Sequence, residues 1–185
     1  DHPLNEFKEI FDQLKILSFD SFIKGENSEG LVAGTIMSLQ EKKSAKGTPF
    51  AIIRFSDNRG EFELFLFSEN LIKNRNKLKE SESFVMTLQK DKNINTSQIR
   101  VNVKKILSLD EIINRPYSKI TLELKENFDL KDLSSLLKEK GETKVKIIFK
   151  NKNKQISYYL ENPRKFNFNQ LKVLKNKEYV KKISV

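Results

Sequence analysis

The sequence predicts an α+β chain in which an N-terminal helix, a five-stranded β-barrel and a small α+β domain follow one another. Three observations lead there. Between Leu31 and Leu107, short runs alternate apolar and polar residues and are separated by Asp, Asn, Gly and Pro, as in half-buried strands joined by turns. One stretch inside that region, Glu69 to Leu78, changes to helical spacing through Leu71, Ile72, Arg75 and Leu78. After Pro116 the strand-like and helix-like runs alternate on a smaller scale.

At the start, Leu4, Phe7, Ile10, Phe11, Leu14 and Leu17 recur every three or four residues, which predicts a helix within a segment spanning 1–28. Pro3 suits its first turn, and His2 reads as a capping or surface residue. The first strand covers Leu31–Met37 and runs into a polar loop, Gln40–Pro49, that holds Lys42, Lys43, Lys46 and the breakers Gly47 and Pro49. The second and third strands, Phe50–Phe55 and Glu61–Phe67, flank the turn Ser56–Gly60 and should form a hairpin. Phe84–Leu88 and Ile99–Val103 read as the last two strands, with a second basic loop, Lys90–Thr96, between them. Three strands, a helix and two strands is the order of an OB fold, so residues 29–108 are expected to form an OB-fold β-barrel. Such a fold binds oligonucleotides on its second and third strands and on two adjoining loops.

The alternation also assigns faces. Ala51, Ile53 and Phe55 lie opposite Phe50, Ile52 and Arg54, and Phe62, Leu64 and Leu66 lie opposite Glu63, Phe65 and Phe67. The charge-free set should fill the interior. Phe50, Arg54 and Phe65 are then outward, as a base-stacking platform requires, although burial of the rings beneath a neighbouring element is the competing reading. Phe67, at the strand end, is expected to pack on the 69–78 helix. Lys42, Lys43 and Lys46 in the first loop, and Lys90 and Lys92 in the second, are candidate phosphate contacts.

Residues 109–116 read as a short helical linker stopped by Pro116, and 117–185 as a small α+β partner-binding domain. In it Ile120, Leu122 and Leu124 alternate; Asp129 caps a helix bearing Leu130, Leu133, Leu136 and Leu137, which Gly141 should end. A hairpin over Val145–Leu160 carries Lys144, Lys146, Lys150, Lys152 and Lys154. Those lysines either block edge pairing or form a basic docking surface. Phe168, Leu171 and Leu174 suggest another helix, and the tail from Lys175 to Val185 reads as a last strand or a partner-bound segment.

The 185 residues carry a net charge of +10, distributed as −3 over 1–28, +5 over 29–108 and +8 over 109–185. That balance favours a polyanionic partner, though lysine-rich and asparagine-rich usage also follows from an AT-rich genome. There is no cysteine, which excludes disulfides and thiolate chemistry, and only His2 could supply an imidazole, which is expected to put metal clusters and a Ser-His-Asp triad out of reach. No apolar run approaches the roughly 20 residues of a membrane helix, and a cytoplasmic location is expected. Starting at Asp1 without methionine, the chain is expected to be a piece of a longer protein.

Several stretches taken together resemble a known family. They are His2-Pro3-Leu4, Val32-Ala33-Gly34 with Ile36, Lys43 through Ala51, Phe55-Ser56-Asp57 with Gly60, and Phe62 through Glu69. In this order they resemble the C-terminal region of the bacterial replicative DNA polymerase III alpha subunit, over about residues 1–108. Past Leu109 only the arrangement of elements is similar. The resemblance implies a non-catalytic piece of a DNA-directed DNA polymerase, a nucleotidyltransferase, with the catalytic carboxylates far upstream and no cofactor here. It implies that positions matching Lys42, Lys43, Lys46, Phe50, Arg54 and Phe65 guide single-stranded template DNA. It further implies that the last domain binds the clamp-loader tau subunit among other replisome proteins. The competing readings are an anticodon-binding OB domain of an aminoacyl-tRNA synthetase and a purely structural interaction module.

Overall fold

The computed structural model of the chain describes residues 2–92, the Lys92 side chain excepted, and 95–185. The chain divides into two compact units, Asp1–Leu109 and Asp110–Val185.

The first unit begins in three short pieces where one helix is expected. A 3-10 turn, Pro3–Phe7, leads into α1 (Lys8–Leu14), and α2 covers Phe19–Lys24. His2 caps the first piece, accepting from the Leu4 amide at Nδ1 while Nε2 lies 3.0 Å from Ser56 Oγ. Lys15 takes a left-handed φ of 56° and ends α1. Ser18 then caps α2, which buries Phe22.

Five strands follow: β1 (Glu29–Lys43), β2 (Pro49–Asp57), β3 (Gly60–Phe67), β4 (Ser83–Lys92) and β5 (Ile99–Ser108), with α3 (Ser68–Asn74) between β3 and β4. They form one antiparallel sheet in the order β3-β2-β1-β4-β5. The long β1 serves both halves, pairing with β4 through Glu29–Thr35 and with β2 through Thr35–Lys43. A bulge between Ile36 and Ser38 marks the change and leaves Met37 exposed. Gly34 sits where an added Cβ would meet Phe55 Cβ at 2.9 Å, so the sheet can curl tightly there. The expected barrel does not close: β3 and β5 approach one another, but no hydrogen-bonded ladder joins them. The α+β class and element order stand as expected, and the closure is corrected to an open, curled sheet.

The predicted interior is the observed one. Ala51, Ile53, Phe55, Phe62, Leu64 and Leu66 are all buried and share a core with Phe22, Val32, Met86 and Leu88. Burial of each of these side chains other than Ala51 contributes about 1.5–3 kcal/mol. The first basic loop is shorter than expected. Its residues through Lys43 continue β1, so the turn is only Ser44–Thr48, held by Ser44 N to Thr48 O at 2.9 Å with Gly47 at φ 78°.

In the second unit, α4 (Leu109–Asn114) ends before Pro116 and its first residue lies in the first unit. Then come β6 (Lys119–Leu124), α5 (Leu130–Leu136), β7 (Lys140–Asn151), β8 (Lys154–Tyr159), α6 (Phe168–Lys175) and β9 (Val180–Ser184). The sheet order is β8-β7-β6-β9, with β6 and β7 parallel and the other pairs antiparallel. Ile120, Leu122, Leu124, Val145 and Ile147 form one core with Leu133 and Leu137 beside α5 and Leu171 and Leu174 of α6. Both helices therefore cover the same sheet face. The tail is a strand, since β9 pairs with β6. Gly141 does not end α5, which stops at Leu136; it lies in β7, where an added Cβ would stand 2.4 Å from Lys165 N. The backbone of Arg164–Lys165 crosses there, bonded through Lys165 N to Glu139 O at 2.9 Å.

Candidate nucleic-acid interface

The outer face of β1–β2–β3 follows from register. Lys42 stands opposite Phe50 and Phe50 opposite Phe67; the next row runs Gln40, Ile52, Phe65, and the next Ser38, Arg54, Glu63. Partners in a row bring their Cβ atoms within about 4.5–5.5 Å, which clusters three rings at one end of the face. Phe50 lies 6.5 Å from Phe65 and 6.3 Å from Phe67, and Phe65 and Phe67 stack at 6.5 Å with planes 16° apart. Phe65 is 43% exposed and Phe67 60%, while Phe50 is half-buried. Rings of this size left in water offer stacking surface.

Phe67 corrects the sequence expectation: it does not pack on α3 but extends the cluster. The same alternation that sets Phe65 outward also sets Phe67 outward, and that signal outweighs its place at the strand end. Arg54 is outward and exposed as expected, but its Nε is 3.8 Å from Glu61 Oε2 and its cross-strand partner is Glu63. Its charge is thus partly balanced, at the polar end of the face.

Lys42 and Lys43 are exposed at the end of β1, and Lys46 is exposed in the Ser44–Thr48 turn. All three lie at the aromatic end of the hairpin. Lys90 is turned elsewhere. Its Nζ donates to the carbonyls of Phe22 at 2.6 Å, Ile23 at 3.2 Å and Gly25, and lies 5.1 Å from the Phe22 ring centroid. A cation on the last carbonyls of a helix satisfies acceptors that have no partner within the helix, so Lys90 fastens α2 to β4 rather than reaching outward for a phosphate. The Lys92 side chain, with Asn93 and Ile94 of the second loop, lies outside the described residues.

Where β3 and β5 fail to join, a cleft of about 1060 Å³ opens. Phe65 and Phe67 line one side, Ile99 and Arg100 the other, with Phe19 and Ile23 of α2 among the lining residues. Arg100 carries no signal in the sequence; its place on β5 becomes meaningful only once β5 is seen to face β3. Among the described residues, no group of three or more His, Asp or Glu side chains is placed to hold a metal ion. No described helix is long and apolar enough to cross a membrane.

Compared with known proteins, no family model matches the chain. It is 29% identical over 142 residues to DNA polymerase III subunit alpha of Rickettsia bellii, covering 74% of this chain and 12% of that protein. The same subunit of Rickettsia prowazekii is 29% identical over 143 residues, again with 74% and 12% covered. The chain thus spans about 12% of the length of these curated relatives. A solved structure of RecG bound to a three-way DNA junction aligns at 18% identity and a TM-score of 0.35, covering 50% of this chain and 14% of that one.

Proposed function

We propose that this chain is a non-catalytic part of a replicative DNA polymerase alpha subunit whose first unit, an OB-type fold, holds single-stranded template DNA. The observation that carries this reading is the cluster in which the exposed Phe65 and Phe67 meet Phe50 beside Lys42. Bases stack on the rings, each contributing about 1–3 kcal/mol irrespective of sequence. Lys42, Lys43 and Lys46 neutralise phosphates, and Arg100 supports the strand from across the cleft. A sequence-tolerant holder suits a polymerase, which must accept every template. The moderate identity to the alpha subunit over most of the chain supports the same reading. Catalysis by the whole protein, nucleotidyl transfer to DNA, belongs to other parts of it.

The second unit is the docking part, with the clamp-loader tau subunit as its partner. Tyr179, Val180 and Ile183 pack against the unit's core, so truncating the tail would test folding rather than docking. Surface plasmon resonance of the intact chain against purified tau tests the assignment, and absence of binding removes it.

The template reading is tested by fluorescence anisotropy of labelled oligothymidine at two salt concentrations. Saturable binding, weakly displaced by duplex, is expected. No binding at either salt would leave the first unit as a spacer or protein-docking module.

A further inference from the structure

Four lysines of the second unit share one face of its sheet. β7 is flanked by β6 over Lys144–Ile148 and by β8 over Lys146–Asn151, so Lys146 protects no edge, while Lys144 and Lys150 are each paired on one side. Alternation turns Val145 and Ile147 toward the helices and these lysines to the opposite face. Lys119 of β6 joins them there, in register opposite Lys144. Tyr159 of β8 stands opposite Lys146, and its ring centroid lies 5.6 Å from Lys146 Nζ and 5.9 Å from Lys119 Nζ. Tyr159 is 53% exposed.

None of these four lysines forms an ion pair with a described residue. Glu123, on the same face, is engaged by Lys181 at 3.5 Å. Like charges directly opposite across strands destabilise a sheet; the Tyr159 ring offsets only part of that cost, and no described acidic side chain is paired with these lysines to offset the rest. An anionic partner does. We infer that this uncovered face binds single-stranded nucleic acid, the lysines taking the phosphates and Tyr159 stacking a base, at a site separate from the first unit's rings. The ring between the ammonium groups selects the occupant. A duplex keeps its bases stacked inside, and an acidic peptide brings charge without a base; a single strand offers both phosphates and an exposed π-face.

The test uses the intact chain and bromouracil-substituted oligothymidine, with Lys119, Lys144, Lys146 and Lys150 changed together to Gln. Circular dichroism should show an unchanged fold, because the altered ends are solvated. The salt dependence of log affinity should flatten by about 2–3, following about 0.7 for each phosphate no longer neutralised, and affinity at low salt should fall at least tenfold. Tyr159→Ala should weaken binding fivefold or more, and Tyr159→Phe should restore it. Irradiation should crosslink the oligonucleotide to the peptide containing Tyr159, and still do so when Phe65 and Phe67 are both Ala. Unchanged affinity and salt slope in the folded Gln variant would overturn the inference, as would crosslinks confined to the first unit or equal displacement by polyglutamate. Loss in the Gln variant with full binding by the Phe65/Phe67 variant would sink the first unit's platform and leave this face standing.

Discussion

On the outer face of the first sheet, three phenylalanines meet one another and Arg54 is held near Glu61. On the open face of the second, a single tyrosine meets two lysines and the cations have no acidic partner among the described residues. Both faces arise from the same two-residue alternation, and in both the inner set makes the core. The outer set is therefore where the two sheets diverge. Binding by the first should add ring stacking, which is insensitive to salt, to the counterion release of its loop lysines, whereas binding by the second, with one ring beside four lysines, should be dominated by counterion release.

The largest expected effect breaks the support beneath the first face. Phe22 is fully buried within that core, and Phe22→Ala should cost about 3–5 kcal/mol, read as a lower urea midpoint. Next, Phe65→Ala with Phe67→Ala should cost about 1–3 kcal/mol in oligothymidine affinity for each base left unstacked. Because the rings are exposed, urea stability should barely change, and the loss should be similar at low and high salt. A loss that vanishes at low salt would merge the two faces into one electrostatic mechanism. Lys90→Met should lower stability by about 1–2 kcal/mol, leaving α2's last carbonyls without their cation. Its oligothymidine affinity should stay unchanged; a fall would return Lys90 to the phosphate contacts.

The smallest effect concerns a cluster between α5 and the connection from α6 to β9. Tyr179 donates to Asp132 at 2.8 Å, and Lys177 lies 3.1 Å from the same carboxylate oxygen. The Tyr179 hydrogen bond, then Lys177, hold the Asp132 carboxyl below its usual value, while burial and then Asp132 push the Tyr179 phenol up. Asp132 thus adds stability above the ordinary carboxylate range, near pH 4, and the gain is lost as pH falls through its lowered folded value. Tyr179 adds stability below about pH 10, lost as pH rises toward its raised folded value. Thermal melts of Asp132→Asn should therefore differ from the parent near neutrality and converge with it at strongly acidic pH.

The inward and outward sets of β2 and β3 were legible because alternation is a local property. Whether an outward residue is used was not. Lys90 looks like any loop lysine until α2 is placed beside β4, and Gly141 looks like a helix stop until the Arg164–Lys165 backbone is seen to cross it. Arg100 gained a role from an opening that no local pattern encodes. Phe67 was different: its alternation with Phe65 already pointed outward, and a terminal place on a strand is the weaker of the two signals.

Lys90 reaches carbonyls as far as 68 positions back in the chain. During synthesis, α2 therefore emerges from the ribosome long before the residue that completes it. Its C-terminal carbonyls must stay hydrated, and the core around Phe22 lacks Phe84, Met86 and Leu88, until β4 has been translated. The first unit should consequently fold late and in one step rather than from its N-terminus onward, and nascent chains stalled before residue 90 should remain open to protease around Phe22.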